Sequence, residues 1–213
     1  MSAGATDRQR TYIPAAGYDW LLPLYDGFAK LMGSEAAHRQ LVDQADIEPS
    51  HHVLDIGCGT GNLTLLIKRL HPPIDVVGLD PDPKALACAR RKAEAQGFAV
   101  RLDRGFSDQL PYAEASFDRV FSAFMLHHLT PDEKEKTLRE ARRVLRSGGA
   151  FYALDFGGTG RANGVIAHLF HHAHLEDQHR IPAFMREAGF AEVTELAPRA
   201  TIVGRVSYWR ASG

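Results

Sequence analysis

A chain of 213 residues with a formal net charge of -1 and 24% charged side chains has the size of one ordinary domain. It lacks the basic surplus that recruits nucleic-acid phosphates or anionic membranes, so a small molecule is the expected partner. The two cysteines, Cys58 and Cys88, stand in no metal-ligand spacing and outline no disulfide framework; a reducing, cytoplasmic setting and no metal are expected.

The first twenty residues show no apolar core followed by a cleavage site, and no later stretch approaches eighteen unbroken apolar residues. Secretion and a membrane span are therefore not expected, and monomer or homodimer is left open. Residues 1 to 11 are small, polar and charged and should stay loosely ordered. From Asp19 to Leu41 apolar residues recur at helical spacing, interrupted by Pro23 and Gly33, which predicts two short helices. A third covers Ser34 to Ala45 with Ser34 as N-cap. Residues 1–47 are read as a helical lid and 48–213 as the main domain.

From His52 onward short apolar runs alternate with longer amphipathic stretches, the signature of repeated βα units. Strands are predicted at His52 to Ile56, Asp75 to Asp80, Ala99 to Asp103, Phe117 to Ala123 and Ala150 to Asp155. Helices fall between them at Asn62 to Leu70, Pro83 to Gln96 and Pro131 to Leu145. After Phe156 come a glycine-rich stretch, a histidine-rich helix from Val165 to Leu175 and a helix from Ile181 to Ala188. Two closing runs, Ala191 to Leu196 and Thr201 to Trp209, are too close for a helical crossover and should pair antiparallel. The expected fold is α/β, Rossmann-like, with a seven-stranded, mostly parallel sheet, helices on both faces and the last strand antiparallel.

The chemistry is concentrated in Val53-Leu-Asp-Ile-Gly-Cys-Gly-Thr-Gly-Asn62, a strand that ends in three alternating glycines and runs directly into a helix. Glycines there let backbone approach a ligand closely. Asp80 ends the second strand about 20 residues further on, where a carboxylate accepts from a ribose diol. The dinucleotide fingerprint G-x-G-x-x-G fails, because Asn62 stands where its last glycine would be. Asp55, inside the strand, would repel a phosphate and welcome a cationic sulfonium or amino group.

These residues resemble the class I S-adenosylmethionine-dependent methyltransferases, most nearly the ubiquinone and menaquinone C-methyltransferase type. VLDIGCGTGNL is similar to that family's first motif, GLDPDPKALACARRKA to its ribose-binding segment, and LPYAEASFDRVFSAFMLHHL to its fourth-strand region. LREARRVLRSGGAFYALDF and FMREAGFAEVTEL resemble its later elements. The resemblance implies S-adenosylmethionine as cofactor, with Asp55, Gly57, Gly59 and Gly61 lining its methionine part and Asp80 on the ribose. Cys58, Asn62, Pro81, Phe106, Ser107 and Ser122 complete the expected cofactor set. One departure is Gly105-Phe106-Ser107-Asp108, where the family commonly reads Gly-Asp-Ala: Phe106 cannot accept from the adenine amine, so that contact passes to Ser107 or Asp108, or Phe106 stacks on the ring.

His127 and His128 follow the fourth strand at the sheet's ligand-binding edge. His127 is the candidate general base, against a structural helix-start role, and His128 a candidate substrate contact. Tyr12, Tyr18 and His172 are the other candidate substrate contacts, with the aromatic group Tyr12, Tyr18 and Trp20 read either as packing or as a lid. His168, His171, His172 and His174 suggest a metal helix face, but no convincing ligand set completes it. Cys58 reads as a buried packing residue, and Asp118 as a turn or cap carboxylate. The expected activity is methyl transfer to an oxygen, nitrogen or carbon atom of a small molecule, by in-line attack with positioning as the main catalytic contribution. A non-catalytic binding module and, more weakly, an NAD-dependent oxidoreductase are the rivals.

Overall fold

The computed structural model describes residues 34–156, 179–201 and 204–213. They form a seven-stranded sheet in the order β3-β2-β1-β4-β5-β7-β6. The strands are β1 (His52–Ile56), β2 (Asp75–Asp80), β3 (Arg101–Arg104), β4 (Phe117–Ala123), β5 (Leu145–Phe156), β6 (Glu192–Thr201) and β7 (Gly204–Ser212). β7 runs antiparallel to both β5 and β6, and every other pairing is parallel. The expected α/β architecture is the one observed.

The helices are α1 (Ser34–Asp43), α2 (Asn62–Leu70), α3 (Pro83–Ala95), α4 (Pro131–Val144) and α5 (Ile181–Glu187). Local chemistry explains where they begin. Asp82 caps α3 by accepting from the Lys84 amide, with Pro83 at the first turn. Thr130 and Glu133 form a reciprocal capping box ahead of α4. Ser34, expected as the cap of α1, is instead its first helical residue.

The helices divide between two faces because strand order reverses at the β1–β4 boundary. On one face α1 and α2 close over Val53, Val76, Phe121, Tyr152 and Tyr208. On the other, α4 and α5 cover Leu54, Leu79, Val120, Phe151 and Trp209. Each large apolar side chain so buried contributes about 1.5–3 kcal/mol. α1 belongs to this core: Ala37, Leu41 and Val42 are buried in it, and the Tyr208 hydroxyl donates to the Ala37 carbonyl. The lid reading therefore rests on the residues before Ser34, outside those described, as does the histidine-rich helix.

β5 begins at Leu145, five residues earlier than the apolar run predicts. A register shift between Phe117 and Arg119 takes up the extra residues around Gly148, which has φ of 80°; a glycine-rich turn carries no apolar signal, so periodicity passed it over. β7 likewise extends to Ser212 because its edge is paired with β5 along its length. Asp118 is structural, as read: it accepts from the His52 amide at 2.8 Å and from Arg146 at 2.7 Å, tying β1 and the start of β5 to β4. Burial raises its pKa, but those two donors outweigh burial and leave it below the ordinary value. Among the described residues no helix is long and apolar enough to cross a membrane.

Removing the α4 cap tests whether the box sets that helix. Thr130→Ala should cost about 1 kcal/mol, seen as a lowered midpoint in denaturant with an unchanged slope. An unchanged midpoint would mean the helix start is fixed by its buried face alone.

Candidate functional site

At the carboxyl edge of β1 the chain turns through Gly57, Gly59 and Gly61, with φ of 73°, 52° and 80°. These are left-handed values that side-chain-bearing residues adopt at a cost. Packing imposes a second requirement. A Cβ at Gly57 would lie 2.3 Å from Met125 Cγ, and one at Gly61 would lie 2.9 Å from the Ala89 Cβ of α3. The amides of Gly57 and Cys58 both donate to the Leu79 carbonyl, at 2.8 and 3.0 Å, which draws the loop against β2.

Asp80 completes the loop's attachment. Its Oδ2 accepts from the Gly59 amide at 2.8 Å and its Oδ1 from the Asp82 amide at 2.9 Å. A carboxylate offers about four acceptor positions, so these bonds leave capacity on both oxygens for a diol. The spacing argument placed Asp80 beside the loop without showing that it also holds the loop in shape. Pro81 follows it at the same edge, half-buried.

Asp55 is 1% exposed and accepts from the Thr64 hydroxyl at 2.6 Å. Burial pushes its pKa up to about 7, with the Thr64 hydrogen bond opposing and the charge of Asp80 adding to the rise. Burial likewise lifts Asp80 to about 6, against the two backbone donors. Two carboxyls thus share one small region at a cost that a nearby positive charge would relieve. This pair of acceptors fits a ligand that combines a diol with a cationic centre.

The other expected cofactor residues divide. Cys58 packs against Gly78, where an added Cβ would meet its sulfur at 2.9 Å, and burial pushes its thiol well above the ordinary range. That is the packing role read from the sequence. Asn62 opens α2 and turns its side chain outward to accept from Lys92 of α3 at 2.7 Å. Phe106 and Ser107 lie in the stretch after β3, which α4 holds through the Leu110 amide on Glu140 and through Arg143 on the carbonyls of Leu110 and Tyr112. The Ser107 hydroxyl is paired with Thr137 of α4 at 2.8 Å. Ser122 is buried on β4, and its hydroxyl has no protein partner among the described residues.

Beyond β4 the chain reverses sharply. Phe124 has φ of 52°, and its amide donates to the Leu154 carbonyl. A single 3₁₀ turn, Leu126–His128, follows. The reversal lays Met125 against the glycine loop and buries His127 beside the end of β5. There His127 Nδ1 lies 2.7 Å from Asp155 Oδ1, and the His127 amide donates to Asp155 Oδ2 at 3.0 Å. Asp155 was not singled out from the sequence. Its only signal there was an acid at or next to the end of an apolar strand, as in Asp55 and Asp80. The His128 ring centroid is 4.0 Å from that of His127, and burial first, then the neighbouring imidazole, lowers its pKa to about 3. Tyr12, Tyr18 and His172 lie outside the described residues. Among those described, no group of three or more His, Cys, Asp or Glu is arranged to hold a metal ion.

The raised Asp55 pKa makes a stability prediction. The folded chain holds this proton up to about pH 7, whereas the unfolded chain loses it near pH 4, so folding free energy from this group falls as pH rises between those values. Relative to Asp55→Asn, the wild-type melting temperature should decline from pH 4 to pH 7 and level off above. A constant difference across that range would show that Asp55 is not the group responsible.

Comparison with known proteins agrees with this geometry. A family described as "Methyltransferase domain" matches residues 53–149. The chain is 38% identical over 139 residues to a demethylmenaquinone methyltransferase of Thermus thermophilus, covering 64% of this chain and 62% of that one. It is 32% identical over 162 residues to norajmaline N-methyltransferase of Rauvolfia serpentina, covering 67% and 54%. It thus spans less than two thirds of these relatives' length. In fold it is similar to a Thermotoga maritima structure described as a SAM-dependent methyltransferase, possible histamine N-methyltransferase, with a TM-score of 0.72 at 20% identity over 91% of this chain and 96% of that one. The stretch that carries the glycine loop, Asp55 and Asp80 is thus a methyltransferase domain, similar to those of class I S-adenosylmethionine-dependent methyltransferases.

Proposed function

We propose that this protein transfers a methyl group from S-adenosylmethionine to a small-molecule acceptor. The observation that carries the reading is the pairing of a diol-accepting carboxylate, Asp80, with a buried carboxyl, Asp55, on either side of a left-handed glycine loop. A bound donor would supply an electrophilic methyl carbon on a sulfonium. Gly57, Gly59 and Gly61 would admit its methionine part and Asp80 would accept from its ribose. The Ser107 hydroxyl already serves Thr137, which favours Phe106 as the residue that packs on the adenine. The chain's own contribution is alignment of the acceptor with the methyl carbon and exclusion of water.

The acceptor side would be built on the β4 end, with residues 12–28 and 165–175 closing over it as a lid from two sides. The relatives' names include a quinone-type and an alkaloid acceptor, which supports a small organic acceptor of the aromatic kind. A net charge of -1 supports the same reading over a nucleic-acid target.

Calorimetry with S-adenosylmethionine tests the donor half. Asp80→Ala should weaken binding by about 1.5–3 kcal/mol, the range for a hydrogen bond to a charged group, with part of the loss arising from a loosened loop. Wild-type affinity should fall as pH drops below about 7, where Asp55 takes up its proton, and binding at pH 6 should release protons to buffer. Removing residues 1–20 tests the lid: S-adenosylhomocysteine binding should stay within roughly tenfold while transfer of labelled methyl groups falls much further. Full turnover in the truncated chain would remove the lid from the reading, and an affinity unaffected at Asp80 would place the donor elsewhere.

A further inference from the structure

A cavity of about 240 Å³ lies on the outer surface of α2, between α1 and α3. Its floor is one face of α2: Asn62, Leu65, Leu66 and Arg69 recur at helical spacing, while Thr64 on the opposite face reaches Asp55 of the sheet. Ser34, Glu35 and His38 of α1 form one wall, and Lys92 and Gln96 of α3 the other. The glycine loop turns at the carboxyl edge of the sheet, whereas this cavity runs along the helix layer behind it. Neither Asp55, Asp80 nor any of the loop glycines lines it.

Two cations face the cavity, and neutral side chains orient them. Arg69 donates to the Gln96 amide oxygen at 2.6 Å, which leaves its charge intact and further N–H donors for a ligand. Lys92 donates to Asn62 Oδ1 at 2.7 Å and to the Thr60 hydroxyl at 3.4 Å. Gln96 donates in turn to the Lys92 carbonyl at 3.0 Å, so one network ties both cations across α2 and α3. His38 stands on the opposite wall. It is 7% exposed, its ring centroid lies 5.7 Å from that of Phe124, and neither ring nitrogen has a hydrogen-bond partner among the described residues. Burial, opposed by Glu35 and aided by Lys92, lowers its pKa to about 4. The imidazole is therefore neutral near pH 7 and offers one N–H and one lone pair. A buried polar group without a partner is costly, and a ligand oxygen on this N–H removes the cost. α1 also starts at Ser34, which puts the positive end of its dipole at the same wall.

The lining selects the chemistry of the ligand. Arg69, Lys92, the His38 N–H and the α1 terminus all favour an oxyanion, and a planar carboxylate matches the guanidinium fork. Glu35, exposed at the rim, disfavours a second negative charge and hence a phosphate dianion. Leu65 and Leu66 favour a hydrocarbon body on the ligand. That body is small, because the cavity falls below the roughly 300–1,000 Å³ of drug-sized ligand sites. We propose that this cavity is a second small-molecule site that binds a compact organic carboxylate, its head taken by Arg69, Lys92 and His38 and its hydrocarbon body laid on Leu65 and Leu66. The site goes beyond the methyltransferase reading and does not depend on it.

The test uses the full chain labelled with ¹⁵N-histidine, with benzoate and 4-methylpentanoate as probes and benzamide and inorganic phosphate as controls. Calorimetry gives the affinities, and multiple-bond ¹H–¹⁵N spectra follow the His38 ring nitrogens, assigned by the signals lost in His38→Gln. A carboxylate probe should bind with Kd below about 1 mM, shift the His38 signals and bind equally well under saturating S-adenosylhomocysteine. Arg69→Gln, a change at an exposed side chain, should weaken that binding about tenfold or more, and benzamide should bind more weakly than benzoate by a similar factor. Absence of carboxylate binding overturns the proposal, as does binding that Arg69→Gln leaves unchanged or that leaves the His38 signals unmoved. Equal binding of benzamide would make the cavity an apolar slot, and tighter binding of phosphate would replace the carboxylate class. Displacement of the probe by S-adenosylhomocysteine would move it to the glycine loop. Each of these also overturns the proposal. Failure of S-adenosylhomocysteine itself to bind, with carboxylate binding intact, would instead defeat only the methyltransferase reading.

Discussion

The Asp80 carboxylate joins the two chain reversals on which the glycine-loop side of this molecule depends. One oxygen holds the Gly59 amide at the end of β1, the other the Asp82 amide at the end of β2. Asp82 in turn caps α3, and α3 presents Ala89 to Gly61, closing the circuit through the glycine loop. Loop shape and helix start thus share a single carboxyl, buried at an energetic cost that its two amide donors only partly offset.

The β4 end of the sheet depends on a different kind of constraint. β4 cannot simply run on into a helix, because its end must pass both the glycine loop and the end of β5. The left-handed Phe124 achieves the reversal, and its ring is held between His38 and Phe156. Strain at one residue is sustained by packing on two neighbours, and it places Met125 and His127 on separate strands' ends within one short turn. α4 is anchored just after this turn by its capping box and holds the stretch containing Phe106 and Ser107 through Glu140 and Arg143. The Arg143 hydrogen bonds keep the Glu140 carboxyl below its ordinary pKa, so the anchor stays charged.

A contrast between the carboxyls shows how environment sets role. Asp118 accepts from a backbone amide and a guanidinium near the surface and is stabilised in its charged form. Asp55 lies in the core with one hydroxyl donor and is pushed the other way. The first is a structural tie held in its charged form, whereas burial drives the second toward its neutral form.

Much of this was legible in the sequence because it is local. The βα alternation, the bounds of β1, β2, β4 and α2, the three glycines and the placement of Asp80 all follow from spacing along the chain, since hydrophobic period and glycine position act through the nearest neighbours. Two groups of facts required the fold. Side-chain direction was one: Asn62 turns to Lys92, Cys58 to Gly78 and Ser107 to Thr137, and no linear pattern says which way a side chain leaves a loop. Pairing between remote elements was the other. Asp155 meets His127 across 28 positions only because β4 and β5 lie in register and Phe124 turns the chain back. The sequence by itself determined the fold class and the glycine loop. Tertiary packing alone decided which carboxylate faces which imidazole, because that contact is made by strand order and register rather than by any neighbour in the chain.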